Sequence, residues 1–167
     1  MSKEISLIVA YSKKNKVIGK DNRIPWFIPH ERTRFREITQ NNVVIMGRHT
    51  AEEIFMMIGK SLPNRVTIIV SSSKTFEQYG CETATSFASA LKLARKNYPD
   101  KNVYIAGGSN VYREALPIVE KMYVTEVDYD GDGDKFFPDF DENSFTRTEE
   151  EHFDGDIPYT YVTYKRK

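Results

Sequence analysis

The amino-acid sequence predicts an α/β fold, with one mixed sheet and helices on both of its faces. Short, nearly continuous apolar runs alternate with segments of helical periodicity, as expected of strands covered on both sides. No internal repeat and no Gly/Ser- or Pro-rich linker interrupts the chain, so residues 1–167 read as one domain. The C-terminal part changes to β-rich segments with polar/apolar alternation, which predicts antiparallel strands at the end of the sheet.

The elements follow in order. Residues 5–10 form a buried first strand. Pro29 starts a helix that sets Glu31, Phe35 and Ile38 on one face. Residues 42–46 form the next strand, and Thr50-Ala51-Glu52-Glu53 reads as a capping box whose helix stops at Gly59. Residues 66–70 and 102–106 are two further buried strands. Ser86 caps a helix carrying Phe87, Leu91, Ala94 and Tyr98, and Ser109 caps residues 111–116. Residues 122–127, 144–149 and 159–164 are the tail strands.

Composition excludes several classes. Lys+Arg number 24 and Asp+Glu 24, so no net field favours nucleic acid or an anionic membrane. The single cysteine, Cys81, excludes an internal disulfide framework and zinc ribbons and fits a reducing compartment. The apolar run at residues 5–11 is too short to span a bilayer, leads into Lys13-Lys14-Asn15-Lys16 and has no cleavage pattern. A cytoplasmic, monomeric protein with no metal is expected.

Four short segments can carry chemistry. In Trp26-Phe27-Ile28-Pro29-His30-Glu31, the carboxylate precedes Phe35 by one turn. Two placements fit Glu31: pointing to solvent in the first helical turn, or on the floor of an apolar pocket, ready to bind an amidine-like group bidentately. Gly47-Arg48-His49-Thr50 joins a strand to a helix and offers either an anion site or a plain turn with solvated basic side chains. Ser71-Ser72-Ser73-Lys74 follows a strand and suits a phosphate monoester or an ordinary polar turn. Ala106-Gly107-Gly108-Ser109 lets a ligand approach the backbone ahead of another helix. Three of these segments lie at C-terminal strand ends, the edge where open α/β sheets bind ligands, and a dinucleotide with an extra phosphate would use them all.

Asp128, Asp130, Asp132, Gly133 and Asp139 come close to a calcium-loop spacing. The preceding segment is β-like, the twelfth position is Asp and Pro138 interrupts the exit, so an acidic solvated loop is expected. His30, His49 and His152 share no metal-ligand spacing.

One ordered set of motifs covers nearly the whole chain. Val17-Ile18-Gly19 with Ile24-Pro25-Trp26 is followed by Val44-Ile45-Met46-Gly47-Arg48-His49-Thr50 and Leu62-Pro63-Asn64-Arg65. Ile105-Ala106-Gly107-Gly108-Ser109 with Val111-Tyr112, then Gly133-Asp134 with Phe136-Phe137-Pro138, complete it. This set closely resembles the dihydrofolate reductase family. The resemblance implies a mostly parallel sheet of about eight strands with an antiparallel C-terminal strand. It also implies NADPH-dependent reduction of 7,8-dihydrofolate, with hydride going to pterin C6 and a proton to N5, and binding of diaminopyrimidine or pteridine antifolates.

By the same resemblance, Glu31 would bind the pterin 2-amino and ring N–H groups. Thr125 would support it and Trp26 would hold an ordered water. Ile8, Val9, Phe35 and Ile105 would wall the pterin, with Leu62 further along the substrate site, and Arg65 would pair with the α-carboxylate of the glutamate tail. Ala10, Ile18, Gly19 and Tyr112 would flank the nicotinamide. Gly47, Arg48, His49 and Thr50 would meet the cofactor phosphates, Ser71, Ser72 and Lys74 the 2′-phosphate, and Gly107, Gly108, Ser109, Asn110 and Val111 the pyrophosphate. No acidic residue is expected beside the 2′-phosphate. Residues 15–25 would form a loop with little to anchor it, closing over the nicotinamide.

The chain departs from the family pattern in two places. Arg32 stands where many members place an apolar residue, so it either contacts the folate tail or points to solvent. The helix before Ile58-Gly59 is about one turn longer, so Ile54 and Ile58 compete for one wall position, and Ala51 and Phe55 for another. The reductase of riboflavin biosynthesis shares the expected fold and cofactor but should lack the Trp26, Glu31 and Phe35 set.

Overall fold

A computed structural model describes residues 4–167 apart from 22, 77 and 78. An eight-stranded sheet runs in the order β5-β4-β3-β6-β1-β7-β10-β9. Its strands are β1 (Ile5–Ser12), β3 (Val43–Gly47), β4 (Val66–Val70), β5 (Glu82–Ala84), β6 (Val103–Ile105), β7 (Lys121–Val127), β9 (Phe145–Phe153) and β10 (Tyr159–Arg166). Every pairing from β5 across to β7 is parallel, and β10 pairs antiparallel with both β7 and β9. A small second sheet joins β2 (Val17–Gly19) to β8 (Lys135–Phe136). The α-helices among the described residues are α1 (Pro29–Thr39), α2 (Arg48–Ile58), α3 (Phe87–Asn97) and α4 (Ser109–Ala115).

Alternation along the strands sorts side chains between the two faces. Leu7, Val9, Ile45, Ile68, Ile105, Met122 and Val124 pack with Phe87, Ala90, Leu91 and Ala94 of α3 and Val111, Tyr112 and Ala115 of α4. On the opposite face Val44, Met46 and Ile69 pack with Ala51 of α2, and with Phe35, Ile54 and Leu62. A third cluster, Val17, Trp26, Ile28, Val127 and Tyr159, joins the segment before α1 to the β7–β10 side.

The apolar runs give the central strands as expected, and Ser86 caps α3 by accepting from the Ser89 N–H. Gly59 ends α2 in the left-handed region at φ 71°. Two caps differ. The N-cap of α2 is Gly47, so Thr50 lies inside the first turn and forms no capping box. The N-cap of α4 is Gly108, and the Ser109 hydroxyl donates instead to the Phe136 carbonyl at 3.1 Å. In both cases the boundary residue is a glycine, which has no side chain to cap with.

The tail is only partly antiparallel, since β7 runs parallel to β1 after the α4 crossover. The loop at residues 15–25 is also better tied than expected, although residue 22 lies outside the described residues. β2 pairs with β8, the Asp134 N–H donates to the Gly19 carbonyl at 3.0 Å, and the Asp21 N–H donates to Asp134 Oδ2 at 3.0 Å. The anchors lie far downstream in the chain, where local patterning gives no sign of them. Short β5 was likewise not anticipated.

Gly133 has a packing role in this contact. A Cβ there would run into the stiff, buried Val17 side chain and lie 3.0 Å from the Gly19 carbonyl. Gly133→Ala is expected to cost about 1–3 kcal/mol, by overpacking the β2–β8 contact. Urea denaturation measures this, and an unchanged midpoint would contradict the packing role.

Candidate active site

The C-terminal ends of β1, β3 and β6 lie side by side in the sheet, with α2 leaving β3 and α4 following β6. Pro29 occupies the first turn of α1, where its missing N–H has no helical partner to lose, and Glu31 sits in that same turn. Glu31 Oε1 accepts a hydrogen bond of 2.5 Å from Thr125 Oγ1 on β7. Thr125 is buried and pairs in register with Ala10 of β1. Of the two placements open to Glu31, the structure takes the one turned toward the sheet. Burial raises its carboxyl above the ordinary value, while the Thr125 hydroxyl and the Arg34 charge pull it back down.

The residues around it divide by strand phase. Ile8 and Ala10 alternate onto the same face as Thr125, whereas Val9 and Ile105 side chains pack under α3 and α4. Val9 and Ile105 can therefore offer only backbone to a ligand on the α1 side. Tyr112 Oη donates to the Ile8 carbonyl at 2.9 Å; burial pushes its phenol up, with Glu31 adding to the shift. Gly107 lies beneath this tyrosine, at φ 117°, where a Cβ would come 3.2 Å from Tyr112 Oη. The Gly107–Gly108 peptide is cis.

Phe35, Ile54 and Leu62 pack against one cluster, whereas Ile58 is 41% exposed at the end of α2. Phe55 stacks on Tyr79 and Ala51 is buried against β3 and β4 residues, so both are turned to packing. Trp26 is buried beside Tyr129, with ring centroids 5.4 Å apart. Arg32 is exposed. Arg65 donates to Thr39 Oγ1 at 3.3 Å, and its buried Nε has no partner among the described residues. Burial and the nearby Arg36 both disfavour the Arg65 charge, leaving a guanidinium suited to an incoming carboxylate.

At the other end, the Gly47 N–H donates to the Gly107 carbonyl at 2.7 Å, bringing the β3 and β6 ends together. Arg48 donates to Ser73 Oγ at 3.1 Å, and Ser71 Oγ accepts from the Lys74 N–H at 3.1 Å. Ser72, His49 and Asn110 are exposed, and Thr50 is half-buried. The expectation of no acidic residue here is overturned. Glu52 lies 3.5 Å from Arg48 and 3.7 Å from Lys74, because position 52 is one helical turn beyond Arg48. Ile18 and Gly19 occupy β2, with Ile18 packed against the main core.

Sequence reasoning missed Arg34, Thr39, Arg36, Tyr161 and Glu52. Helical spacing from Glu31 and Arg48 could have found Arg34 and Glu52, but Tyr161 needed the β7–β10 register. Among the described residues, no group of three His, Cys, Asp or Glu side chains is placed to hold a metal, and no helix is long and apolar enough to cross a membrane.

A half-buried carboxylate beside strand ends that carry glycines and cations is an arrangement suited to an α/β enzyme with an anionic ligand. The family model described as dihydrofolate reductase matches residues 4–166. A dihydrofolate reductase of Staphylococcus haemolyticus is 40% identical over 160 residues, covering 95% of this chain and 92% of that protein. One from Bacillus subtilis is 34% identical, covering 98% and 95%, and the type A13 enzyme from Escherichia coli is 36% identical, covering 96% and 93%. The chain belongs to the dihydrofolate reductase family, and its activity is the reduction of dihydrofolate to tetrahydrofolate with a nicotinamide cofactor.

The raised carboxyl of Glu31 has a stability consequence. A proton held more tightly in the folded state stabilises the fold fully below the unfolded value of about 4.3, and that contribution is lost as pH rises through the folded value. Glu31→Gln is therefore expected to raise the melting temperature near neutral pH and to have no such effect near pH 4. A scan at both pH values checks this, and a Gln variant melting lower at neutral pH would contradict it.

Proposed function

We propose that the chain reduces 7,8-dihydrofolate with NADPH, and that Glu31, hydrogen-bonded to Thr125 under α1, is the carboxylate that binds the pterin. That hydrogen bond carries the reading, since it fixes Oε1 while leaving Oε2 and one lone pair of Oε1 without a hydrogen-bond partner among the described residues. A carboxylate so held suits the paired donors of a 2-amino pyrimidine ring. Ile8, Ala10, Phe35, Ile54 and Leu62 supply apolar walls, and Ile58 remains a candidate for the outer part of the cleft. Arg65, with its unpartnered Nε, suits the α-carboxylate of the glutamate tail. Trp26 closes the side nearest the loop at residues 15–25.

The residues present fit the nicotinamide dinucleotide. At Gly107 the backbone comes against Tyr112 with no room for a Cβ, and Gly47 brings the two strand ends into contact. Arg48, His49 and Thr50 would hold the cofactor phosphates, and Gly107, Gly108, Ser109, Asn110 and Val111 the pyrophosphate. Ser71, Ser72 and Lys74 would receive the 2′-phosphate, which would replace Glu52 as partner of Arg48 and Lys74. Tyr112, Ala10, Ile18 and Gly19 would flank the nicotinamide. When bound, this cofactor supplies the hydride.

The chain's own contribution is orientation, exclusion of water and retention of a proton. Glu31 lies on the side of the pocket that meets the pyrimidine edge, so it does not hand its proton directly to N5. Its charge instead favours the protonated form of the bound substrate, and the rate falls on the alkaline side as that proton is lost.

The test is the loss of nicotinamide absorbance on adding dihydrofolate. Turnover with NADPH is expected, with kcat/KM at least about tenfold lower for NADH, because the cationic group would lose its phosphate. No turnover with either cofactor would contradict the reading, and equal efficiency would contradict the assignment of Ser71, Ser72 and Lys74.

A further inference from the structure

Four side chains form two contacts side by side between α1 and the sheet. Glu31 and Arg34 lie three residues apart on α1 and so share a face. Thr125 and Tyr161 are directly opposed in the β7–β10 ladder and therefore share a sheet face. Thr125 donates to Glu31, and the Arg34 guanidinium carbon lies 3.6 Å from the Tyr161 ring centroid. Two adjacent helix positions are thus each held by one of two adjacent strand positions.

We propose that Arg34, held on the Tyr161 ring, is a positioning residue for Glu31: it keeps a positive charge one helical turn from the carboxylate without occupying the oxygens that bind substrate. This rests on the reading of Glu31 as the pterin-binding group. Arg34 makes no ion pair with Glu31 within the 4.0 Å contact distance. A guanidinium in direct contact would fork across both carboxylate oxygens and compete with the substrate's own paired donors. A guanidinium flat on an aromatic face is retained by cation–π attraction, and acts on the carboxylate through space instead.

The surroundings support the same reading. Arg34 and Tyr161 line a cavity of about 690 Å³ together with His30 and Glu37 of α1, Lys121 and Tyr123 of β7, and Glu150 of β9. Glu150 is the extra residue of the β9 bulge opposite Tyr161 and Val162, and its charge favours the Arg34 cation. Lys121 is drawn to Glu4, at 3.7 Å. From the other side, Tyr112 of α4 and Tyr159 of β10 also sense Glu31, both as phenols pushed up by burial. Tyr161 is pushed up to about 12, so its ring is neutral and a good platform for a cation. Among these groups Arg34 is the cation whose charge acts on Glu31, opposing the rise that burial imposes.

The test is single-turnover hydride transfer as a function of pH. Removing the Arg34 charge strengthens the site's hold on its proton, so in Arg34→Met the alkaline fall-off should move to higher pH. Measured relative to each enzyme's own acid plateau, the rate on the alkaline limb should be about three- to tenfold above wild type. Arg34→Lys keeps a charge and should restore most of the wild-type midpoint. Tyr161→Leu removes the platform and lets Arg34 reach the carboxylate, so its midpoint should move down and its KM for dihydrofolate rise. Arg34→Gln substitutes for the Met variant if that fails to fold. In a Glu31→Gln background the Arg34 substitutions should cause no shift. A wild-type midpoint in Arg34→Met or Arg34→Gln, in an enzyme that Glu31→Gln does slow, overturns the proposal. Wild-type turnover in Glu31→Gln would instead remove the carboxylate reading beneath it.

Discussion

The hydrogen bond from Thr125 to Glu31 joins the first turn of α1 to the middle of β7, and the arrangement of the substrate half depends on it. A carboxylate turned toward a sheet in an apolar setting is unfavourable unless something accepts its charge or its proton. Here the compensation is distributed: a hydroxyl from the strand, the N-terminal turn of the helix itself and a guanidinium one turn further on. None of these uses up the carboxylate. The result is an acceptor that is oriented and partly neutralised, with no hydrogen bond to Oε2 among the described residues.

Topology sets this acceptor across β1 from the segments proposed to hold the cofactor. β1 lies between β6 and β7, so its residues meet the Gly107 segment on one side and Thr125 on the other. Tyr112 spans the gap, reaching from α4 to the Ile8 carbonyl and packing over Gly107. Substrate and cofactor would therefore meet over a backbone fixed by parallel ladders. The loop that would cover them is fastened through β2 and β8 to a segment with its own tight contact at Gly133. At the far end Glu52 lies close to both Arg48 and Lys74, which limits repulsion between them.

Local sequence signals were enough wherever burial or backbone geometry is encoded by neighbouring residues. The runs at β1, β3, β4 and β6, the Ser86 cap and the Gly59 stop are of this kind. Glu31 itself was visible as a carboxylate on an apolar helix face, but its direction was not, because the partner hydroxyl lies 94 positions away. Tyr161 was silent for the same reason: its role comes from facing Thr125 across a strand pair, and register is a tertiary property. The expected caps at Thr50 and Ser109 failed because the boundary positions fall on Gly47 and Gly108, which offer backbone alone. Strand phase also divided the expected wall, since adjacent residues such as Ile8 and Val9 must face opposite sides.

Burial makes Glu31 a carboxylate that holds its proton more tightly than one in water. Carbon-13 NMR of the free protein, labelled at the glutamate carboxyl carbons and assigned by loss of one signal in Glu31→Gln, reads this directly. The expected result is a Glu31 titration midpoint above the solvent value of about 4.3. A midpoint at or below that value would mean that the carboxylate is solvated or fully ion-paired, and would contradict the site as described.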